Sequence, residues 1–467
     1  MALISSISGI RGTVGPGDEN LNPKNFSNFV LAFGEFLKKK NKKKKIKVVI
    51  GRDSRISGEM FLSLAICNLN SIGIDVINFG MATTPSIEMG LIRDGADGGI
   101  IVSSSHNPEN WNALKLLNSK GEFLDKKSGE EIMKIAKEGN FSFVDVNSLG
   151  VKIDDNSCLG YHVKEILKQK LVEKNAISKK NFKVVVDGIN SVGSIAIPEL
   201  LLSLGVKNII VINQNADGIF NHDPEPVDKN LKQLSLAVKK VGADIGIAID
   251  PDVDRLALVD ENGCFFGEEY TLIAVSKYIL ENFNIFKNKY KKSVVSNLSS
   301  SFALKDLAKD YNAKCFYSSV GELNVVNKMK AVGAVCGGEG NGGIIYPPLH
   351  YGRDALIGVA LFLTYLAKSN KKVSDIKKDL PGYFLLKSKI TLEKGVDIEK
   401  KLELLEKKYK DCNINKIDGL KIIFNNKKSW AHLRKSNTEP IVRIYCEAPT
   451  EKEAKQLFLE ISNNFKI

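Results

Sequence analysis

Short runs of apolar residues alternate along the chain with longer segments in which apolar residues recur every three or four positions. Residues 47–50, 75–79 and 99–102 are runs of the first kind, and residues 59–72 and 85–93 are segments of the second kind. The short runs predict buried strands, and the periodic segments predict amphipathic helices. The alternation is typical of βαβ units, in which helices cover both faces of a mostly parallel sheet.

The same alternation begins again twice further along the chain. The second cycle contains predicted strands at residues 182–187, 206–212 and 245–249, and predicted helices at 195–204 and 231–241. The third cycle contains predicted strands at residues 256–260, 293–297 and 334–336, and predicted helices at 270–282 and from 302 onward. Repetition at this spacing predicts three α/β units of roughly 100 residues each, which is an ordinary domain size.

The C-terminal part of the chain has a different pattern. Its strand-like runs lie at residues 383–392, 420–424, 431–433 and 441–447, and two lysine-rich helical segments lie at 398–409 and 450–465. This pattern indicates an α+β domain with antiparallel strands. We therefore predict an α/β fold with three related mixed α/β domains, at residues 1–152, 153–252 and 253–370, and a smaller C-terminal α+β domain at 371–467.

The composition suits several packed cores in a protein without a membrane span. Of the 467 residues, 43% are hydrophobic and 26% are charged. No apolar stretch approaches the ~18 residues that a membrane-spanning helix needs, and the N-terminus has no signal-peptide pattern. The seven cysteines are odd in number and form no C-x-x-C pair. They argue against a disulfide scaffold or a zinc ribbon, and we expect the protein in the cytoplasm.

The net charge is +13, and residues 38–45 contribute seven lysines to it. Such a run could contact nucleic acid or acidic lipid. No aromatic residues are interleaved with it and no nucleic-acid motif accompanies it, so we interpret it as a solvated helix end and loop. We expect neither nucleic acid nor a membrane as a partner. A basic surface also attracts anionic sugar phosphates.

Asp250, Asp252 and Asp254 occupy alternate positions directly after a predicted strand. Alternate side chains of an extended chain point to one side, so the three carboxylates are expected to converge. Hard oxygen ligands in this number suit Mg²⁺. A solvated acidic turn is the simpler alternative, and an EF-hand is a false match because its glycine position holds Arg255. We therefore predict a magnesium site.

Ser105 follows the predicted strand at residues 99–102 and lies within the segment 103–108, Ser-Ser-Ser-His-Asn-Pro. A strand that ends in a turn presents this hydroxyl beside the His106 imidazole, which suits a nucleophile or a phosphate carrier. Most turn serines are inert, but Lys115 or His106 could move the hydroxyl proton. Arg11 could balance the charge of a phosphoryl group.

Two further segments are candidates for binding a substrate. Residues 338–343 formally match G-x-G-x-x-G, but apolar residues and a proline follow instead of a helix, so the dinucleotide fingerprint is weak. A loop in which Glu339 and Asn341 face sugar hydroxyls, or a plain flexible turn, fits better. The second segment supplies guanidinium, hydroxyl and amide donors suited to a phosphate dianion, or to an ordinary turn. Its candidate residues are Arg434, Ser436, Asn437, Thr438 and Arg443.

Together these four segments resemble those of the α-D-phosphohexomutase family, which includes phosphoglucomutases, phosphomannomutases and phosphoglucosamine mutases. Residues 103–108 resemble its phosphoserine loop and residues 250–255 its metal loop. Residues 338–342 resemble its sugar loop and residues 434–440 its phosphate loop. All four occur in the family's order and extend over nearly the whole chain.

The resemblance implies four domains around a central cleft, each contributing one loop to the active site. It also implies a phosphoserine at Ser105 and a general acid or base at Lys115. One Mg²⁺ would bind the Ser105 phosphate and the three aspartates, and a hexose 1,6-bisphosphate would be the intermediate. Arg255 would bind substrate, and the phosphate loop would hold the phosphate that is not reacting. The partner is then a small phosphosugar, and the enzyme would be a monomer or a homodimer.

The sequence departs from the family pattern at three places. Ala113 and Ser191 each replace a frequent glycine, and Asn341 replaces a common serine in the sugar loop. These departures concern the identity of the substrate rather than the chemistry. Ser103 and the run at 340–343 are more similar to phosphoglucosamine mutases, so we favour glucosamine phosphate over glucose or mannose phosphate.

Two other functions use some of the same residues. A sugar phosphatase would need only the phosphoserine and Mg²⁺, and it would release inorganic phosphate without isomerising the sugar. A non-catalytic protein could use the basic run to bind nucleic acid. The sugar and phosphate loops favour the mutase, because they indicate a substrate held at both ends.

Overall fold

A computed structural model describes residues 4–6, 9–41, 45–391, 397–435 and 441–466. The chain divides into two compact units. The first unit comprises Met1–Thr271 and Asn341–Ile376, and the second comprises Leu272–Gly340 and Lys377–Ile467. The four predicted domain boundaries stay a prediction.

The first sheet belongs to the first unit and is mixed. Its strands are Ile4–Ser6 (β1), Gly9–Thr13 (β2), Lys47–Arg52 (β3), Asp75–Met81 (β4), Gly98–Val102 (β5), Trp111–Asn118 (β6) and Lys152–Asp154 (β7). They are ordered β1-β2-β6-β5-β3-β4-β7. Strands β5, β3, β4 and β7 run parallel, whereas β1, β2 and β6 form antiparallel pairs at the other side.

Helices cover both faces of this sheet, as the sequence predicts. They are Pro23–Lys40 (α1), Gly58–Ser71 (α2), Thr84–Asp94 (α3) and Lys126–Glu138 (α4). Val48 and Ile50 point into a core with α1, α2 and α4, whereas Val49 points into a core with α3. Helix α1 ends in Lys38, Lys39 and Lys40, which confirms the predicted helix end, and residues 42–44 of the basic run lie outside the described residues.

The second sheet also belongs to the first unit and has the order β11-β10-β8-β9. Its strands are Lys183–Asp187 (β8), Asn208–Ile212 (β9), Ile245–Ile249 (β10) and Leu256–Val259 (β11), with β11 antiparallel to β10. The helices in this region are Cys158–Leu167 (α5), Lys174–Lys180 (α6), Gly193–Ser203 (α7) and Lys232–Val241 (α8). The predicted metal loop is the connection from β10 to β11.

A third set of parallel strands lies in the second unit. It consists of Lys291–Asn297 (β12), Lys314–Ser318 (β13) and Ala334–Glu339 (β14), with β12 in the middle. The helices of this part of the sequence are Glu268–Glu281 (α9), Ala303–Asp310 (α10) and Glu322–Val332 (α11). The chain then returns to the first unit with the strand Gly343–Ile345 (β15) and the helix Ala355–Ser369 (α12), before Val373–Lys378 (α13).

The C-terminal region is α+β, as the sequence predicts. Its strands are Phe384–Thr391 (β16), Asn413–Asn415 (β17), Leu420–Phe424 (β18), Ser429–Lys435 (β19) and Ile441–Ala448 (β20). They form an antiparallel sheet of order β16-β20-β19-β18-β17. The helices Ile398–Lys408 (α14) and Glu451–Lys466 (α15) pack on it around a core of its own. In the described part of the chain, no helix has the length and apolar character needed to cross a membrane.

Candidate active site

Strand β5 ends directly before residues 103–108, which we call the serine loop, so the sheet fixes where Ser105 lies. Ser105 is buried and has a φ of 50°, a left-handed conformation that is uncommon for residues other than glycine. Its N–H donates to Ser103 Oγ at 3.0 Å. A turn of this kind costs backbone free energy, and such turns are concentrated at functional sites.

Arg55 stabilises the serine loop from behind, and the sequence analysis did not identify it. Its side chain is buried and donates to the carbonyl oxygens of Ser105 and Asn107, both at 2.6 Å, and of Trp111 at 3.0 Å. Its Nε donates to Asp53 at 3.0 Å, and Asp53 also accepts from the Ser103 hydroxyl. The position of Arg55 in the sequence could have identified it, because residues 53–55 follow β3, and β3 lies beside β5 in the sheet.

The metal loop turns sharply between the aspartates. The Val253 N–H donates to the Asp250 carbonyl oxygen at 3.0 Å, and Val253 has a φ of 63°. The three aspartates converge as predicted, with one carboxylate oxygen from each lying within 4.8 Å of the others. The predicted reason was wrong, because a left-handed turn rather than extended chain brings them together.

Asp250 connects the metal loop to the serine. The Ser105 hydroxyl donates to Asp250 Oδ2 at 2.6 Å, and the Ser105 hydroxyl oxygen lies 3.4 Å from His106 Nδ1. The other oxygen of Asp250 accepts the N–H groups of Asp254 and Arg255. Burial, and then the charges of Asp254 and Asp252, raise the pKa of Asp250 well above its usual value.

Asp252 and Asp254 each have one oxygen held by donors. Asp252 Oδ2 accepts from Thr84 Oγ1 and Lys115 Nζ, both at 2.6 Å, and Asp254 Oδ2 accepts from Arg353 Nη2, also at 2.6 Å. The other oxygen, Oδ1, of both aspartates is buried without a hydrogen-bond partner among the described residues. Buried carboxylate oxygens of this kind need a partner. Two such oxygens beside Asp250 fit a hard cation such as Mg²⁺.

The protonation of the two candidate proton carriers follows from their surroundings. Burial lowers the pKa of Lys115, but the Asp252 and Asp254 charges outweigh it, so the pKa is raised and the ammonium persists. Burial, and then the charges of Arg255 and Arg11, lower the pKa of His106 well below its usual value. At neutral pH, Lys115 therefore carries its proton and His106 does not, so the two groups are in the protonation states of a donor and an acceptor.

Arginines make this part of the first unit suitable for an anion. Arg11 lies on β2, and burial, followed by the charges of Arg255 and Arg353, lowers the pKa of its guanidinium. Three guanidinium groups are therefore close enough to influence one another electrostatically. Such a group of fixed cations attracts and orients phosphate.

The predicted sugar loop is a turn between β14 and β15. Because a strand and not a helix follows it, the dinucleotide fingerprint is excluded. In the first unit, Asn341 Oδ1 accepts the Gly343 N–H at 3.2 Å. In the second unit, Glu339 is buried, and its Oε1 accepts from Asn297 Nδ2 and the Gly321 N–H, both at 2.9 Å.

Two arginines of the predicted phosphate site lie side by side in the second unit. Arg434 on β19 is directly opposite Arg443 on β20 in the antiparallel ladder. Arg434 Nη1 also donates to Asp418 Oδ2 at 3.2 Å. Like charges directly opposite each other destabilise a sheet, so a bound anion would stabilise this pair. Ser436, Asn437 and Thr438 lie outside the described residues.

Four family models of phosphoglucomutase/phosphomannomutase match the chain in sequence. The models of domains I, II and III match residues 4–143, 161–263 and 267–384, and the model of the C-terminal domain matches 387–464. A phosphoglucomutase/phosphomannomutase from Thermococcus kodakarensis is 36% identical over 462 residues, which cover 98% of each chain. The chain belongs to the phosphoglucomutase/phosphomannomutase family. The resemblance found in the four segments is thereby confirmed, and the protein is a phosphosugar mutase, which is an isomerase.

Other members of this family are similar over the whole chain. A phosphoglucosamine/phosphogalactosamine mutase from Sulfurisphaera tokodaii is 32% identical over 467 residues, covering 99% of this chain and 98% of the relative. A crystal structure of a family protein from Burkholderia thailandensis has a TM-score of 0.84 at 23% identity, and the alignment covers 100% of this chain and 98% of that one. This structural likeness supports the phosphohexomutase fold, with three α/β domains and an α+β domain.

The structure adds three residues to those found from the sequence of this mutase. Arg55 holds the serine loop, Thr84 binds Asp252, and Arg353 binds Asp254. The contacts of Arg55 with Ser105, of Thr84 with Asp252 and of Arg353 with Asp254 each join residues at least 50 positions apart in the chain. No local motif reveals such contacts, because only the fold brings the partners together.

Proposed function

We propose that the enzyme moves a phosphoryl group between the 1- and 6-positions of a hexose phosphate, with Ser105 as the phosphate carrier. The observation that carries this proposal is the 2.6 Å hydrogen bond from the Ser105 hydroxyl to Asp250, at the edge of the aspartate group. The Oδ1 atoms of Asp252 and Asp254 accept no hydrogen bond among the described residues, which supports one Mg²⁺ at the same place. Mg²⁺ bound there would neutralise charge on the transferring phosphoryl group.

The residues of the chain account for the proton transfers. In the first half-reaction, a sugar hydroxyl attacks the phosphorus of phosphoserine 105, the bond from phosphorus to Ser105 Oγ breaks, and a hexose 1,6-bisphosphate forms. The neutral His106 can accept the hydroxyl proton, and the Lys115 ammonium can donate one to the departing serine oxygen. After the bisphosphate has turned over, Ser105 attacks the other phosphate and the proton transfers reverse.

The phosphate that is not reacting needs a separate site. We assign Arg434, Arg443, Ser436, Asn437 and Thr438 to it. The pairing of Arg434 with Arg443 across the ladder supports this assignment, because a dianion bound by both side chains would relieve the repulsion between their charges. In the same proposal, Glu339 and Asn341 bind sugar hydroxyls, and Arg255 and Arg11 bind phosphate oxygens. A phosphatase needs no such second site.

Ser105→Ala tests the carrier. Because the substitution removes the covalent route, kcat should fall by at least about 10³-fold. Ser104→Ala, in the same loop, is the matched control and should keep most of the activity. Mass spectrometry of the wild-type enzyme should map a phosphorylated fraction to Ser105. Phosphate on another residue, together with full activity of Ser105→Ala, would contradict the proposal.

We propose glucosamine phosphate as the preferred substrate, with glucose or mannose phosphate as the alternative. Ser103 and the sugar-loop run 340–343 support this choice. The names of similar proteins include both phosphoglucosamine mutases and phosphoglucomutase/phosphomannomutases. The kcat/KM values for the 6-phosphates of the three sugars should differ by about tenfold or more in favour of glucosamine. A higher value for glucose or mannose would reverse the assignment, and release of inorganic phosphate without isomerisation would favour a phosphatase.

We also propose that the enzyme works in the cytoplasm, as a monomer or homodimer, with a small phosphosugar rather than nucleic acid as its partner. All seven cysteines are free, which suits a reducing compartment.

A further inference from the structure

A second group of titratable side chains is buried in the first unit. We call it the histidine cluster, and it consists of Glu88, His162, His350 and Asp354. All four residues are buried. Nε2 of His162 and Nε2 of His350 lie 2.9 Å and 3.2 Å from the same oxygen, Oδ2 of Asp354. His350 Nδ1 lies 3.3 Å from Glu88 Oε2.

The proposed reaction does not use these residues, although burying charged side chains costs free energy. His350 lies between two carboxylates, and when both ring nitrogens carry a proton each of them faces one carboxylate. Burial lowers the pKa of His350, but the hydrogen bonds and charges of Asp354 and Glu88 outweigh it and raise the pKa to about 10. A buried charged network of this kind is stable only when its members are paired.

The cluster connects the beginnings of two helices. Asp354 caps α12, because its Oδ1 accepts the N–H groups of Leu356 and Ile357. Glu88 lies in α3. Ser86, also in α3, contacts His162 Nδ1 through its hydroxyl at 3.0 Å. A shared carboxylate and two imidazoles thus hold the first turns of α3 and α12 in one arrangement.

Both of these helix beginnings reach the metal loop. Thr84 is the first residue of α3, and it binds Asp252 through its hydroxyl at 2.6 Å and through its N–H at 2.9 Å. Arg353, the neighbour of Asp354, binds Asp254 at 2.6 Å. The Ala355 N–H donates to the carbonyl oxygen of Val253 at 3.2 Å. Every one of these donors is therefore within four residues of a member of the cluster.

We propose that the histidine cluster positions the metal loop. By fixing the starts of α3 and α12, it sets Thr84 and Arg353 so that they hold one oxygen of Asp252 and one of Asp254. The remaining oxygens then point to a common place. Glu88, His162, His350 and Asp354 are positioning residues in this scheme, since none of them touches the reacting atoms. This inference rests on the proposed metal site.

The close packing around the cluster supports such a role. A β-carbon built on Gly352 would lie 1.8 Å from Glu88 Oε2 and 2.9 Å from His350 Cε1. Only glycine lets the segment before Arg353 approach Glu88 so closely. Movement of the cluster would therefore be transmitted to Arg353 and from there to Asp254, because interiors packed at this density transmit displacement.

Metal binding measured without turnover tests the proposal. We would titrate Mn²⁺, as a spectroscopic probe for Mg²⁺, into the wild type and into His350→Gln, Ser86→Ala and Asp354→Asn, following free Mn²⁺ by electron paramagnetic resonance. Each substitution loosens the cluster but leaves every aspartate of the metal loop in place. The dissociation constant for Mn²⁺ should rise roughly tenfold, since residues that orient metal ligands typically contribute that much.

A matched control separates positioning from general destabilisation. Thr364 is a buried polar residue on α12, and its hydroxyl donates to the Ala360 carbonyl oxygen at 2.7 Å, within the same helix. Thr364→Val should lower Tm but leave the Mn²⁺ affinity within about twofold of the wild-type value, because it is far from the capped end of the helix. In the cluster variants, saturating Mg²⁺ should restore much of kcat.

Several outcomes would overturn the proposal. Unchanged Mn²⁺ affinity in folded His350→Gln and Ser86→Ala would do so even if Asp354→Asn does not fold. So would an equal loss of affinity in Thr364→Val. One equivalent of tightly bound zinc that is lost in His162→Gln would show that the cluster is itself a metal site. If wild type and Asp252→Asn bind Mn²⁺ equally, the proposed metal site fails instead, which is a distinguishable result.

Discussion

Arg434 and Arg443 illustrate how much a single side chain can contribute to the proposed function. They stand opposite each other on β19 and β20, and Arg434 forms an ion pair with Asp418. A phosphate dianion would compete with Asp418 for the same guanidinium. The charge-assisted contact to phosphate is worth about 1.5–3 kcal/mol.

We therefore expect Arg434→Ala to lower kcat/KM for the 1-phosphate and the 6-phosphate sugar alike, by roughly 10–150-fold. The rate at which acetyl phosphate phosphorylates Ser105 should change little, because this small donor has no distal phosphate. Steady-state assays of the two sugars and mass spectrometry of Ser105 give the three values. An equal loss in all three would mean that Arg434 supports the fold or the chemistry in general.

Arg55 makes a different kind of contribution, because it binds main-chain oxygens rather than substrate. Its planar guanidinium serves Asp53 and several carbonyls of the serine loop at once. A lysine in its place keeps the charge but has only three donors on one nitrogen.

Arg55→Lys should therefore fold with a lower Tm and lose about 10-fold or more in kcat, since the turn that presents Ser105 would relax. Arg52→Lys is the control, because Arg52 lies in the same segment but pairs with the exposed Glu59. Thermal melts and initial rates would distinguish the two variants. Full activity in Arg55→Lys would show that the serine loop holds its own shape.

At the scale of elements, the turn after β14 depends on the absence of a side chain at Gly342. This residue has a φ of 87°, and a β-carbon there would lie 2.4 Å from the Leu256 carbonyl oxygen. Gly95 offers a comparison: it ends α3 with a φ of 59°, and nothing lies within 4 Å of its β-carbon position.

Gly95→Ala should lower the free energy of unfolding by about 1–2 kcal/mol, because its only penalty is an alanine in the left-handed conformation. Gly342→Ala should cost a further 1–3 kcal/mol or so, because the backbone of the turn must shift away from Leu256. It should also raise KM for the sugar, whereas Gly95→Ala should not. Urea titrations and steady-state kinetics give both values. Equal stability of the two variants would mean that the turn can move freely.

The elements also explain what could be predicted from the sequence. The strands β3, β5, β8 and β10 were found because apolar runs ending in a turn indicate buried strands. Helix α12 was missed because it is buried on nearly every side and so has no amphipathic period. Strand β6 was missed because Asn112 and Lys115 interrupt its apolar run.

The candidate site was predictable only where its chemistry is local in sequence. The aspartates and Ser105 lie within short polar segments, and the structure brings both together. Thr84 and Arg353 were not predictable, because each acts on a residue that is distant along the chain, and the only signal for Arg55 was its position directly after β3. The left-handed turns at Ser105 and Val253 were missed as well, because neither residue type favours that conformation.

At the scale of the whole molecule, the described residues divide into two compact units with separate cores. Chains of several domains rarely unfold in a single cooperative step. Differential scanning calorimetry should therefore show more than one transition, or a van't Hoff enthalpy clearly below the calorimetric enthalpy. A phosphosugar ligand should move at least one transition upward, since a ligand stabilises the folded state that binds it. A single transition with equal enthalpies would contradict this prediction.

Val253 has a practical consequence for anyone who wishes to make the enzyme more heat-resistant. A branched β-carbon on left-handed backbone is unfavourable, so rational engineering would replace it with glycine or asparagine. Yet the valine is fully buried, and one of its methyl groups lies 3.3 Å from the β-carbon position of Gly193. The valine side chain therefore packs against the first residue of α7, and replacing it with glycine would remove that packing beside Asp252 and Asp254. We expect glycine or asparagine at this position to raise thermal stability but to lower activity, so stabilising substitutions are better placed on exposed helix surfaces.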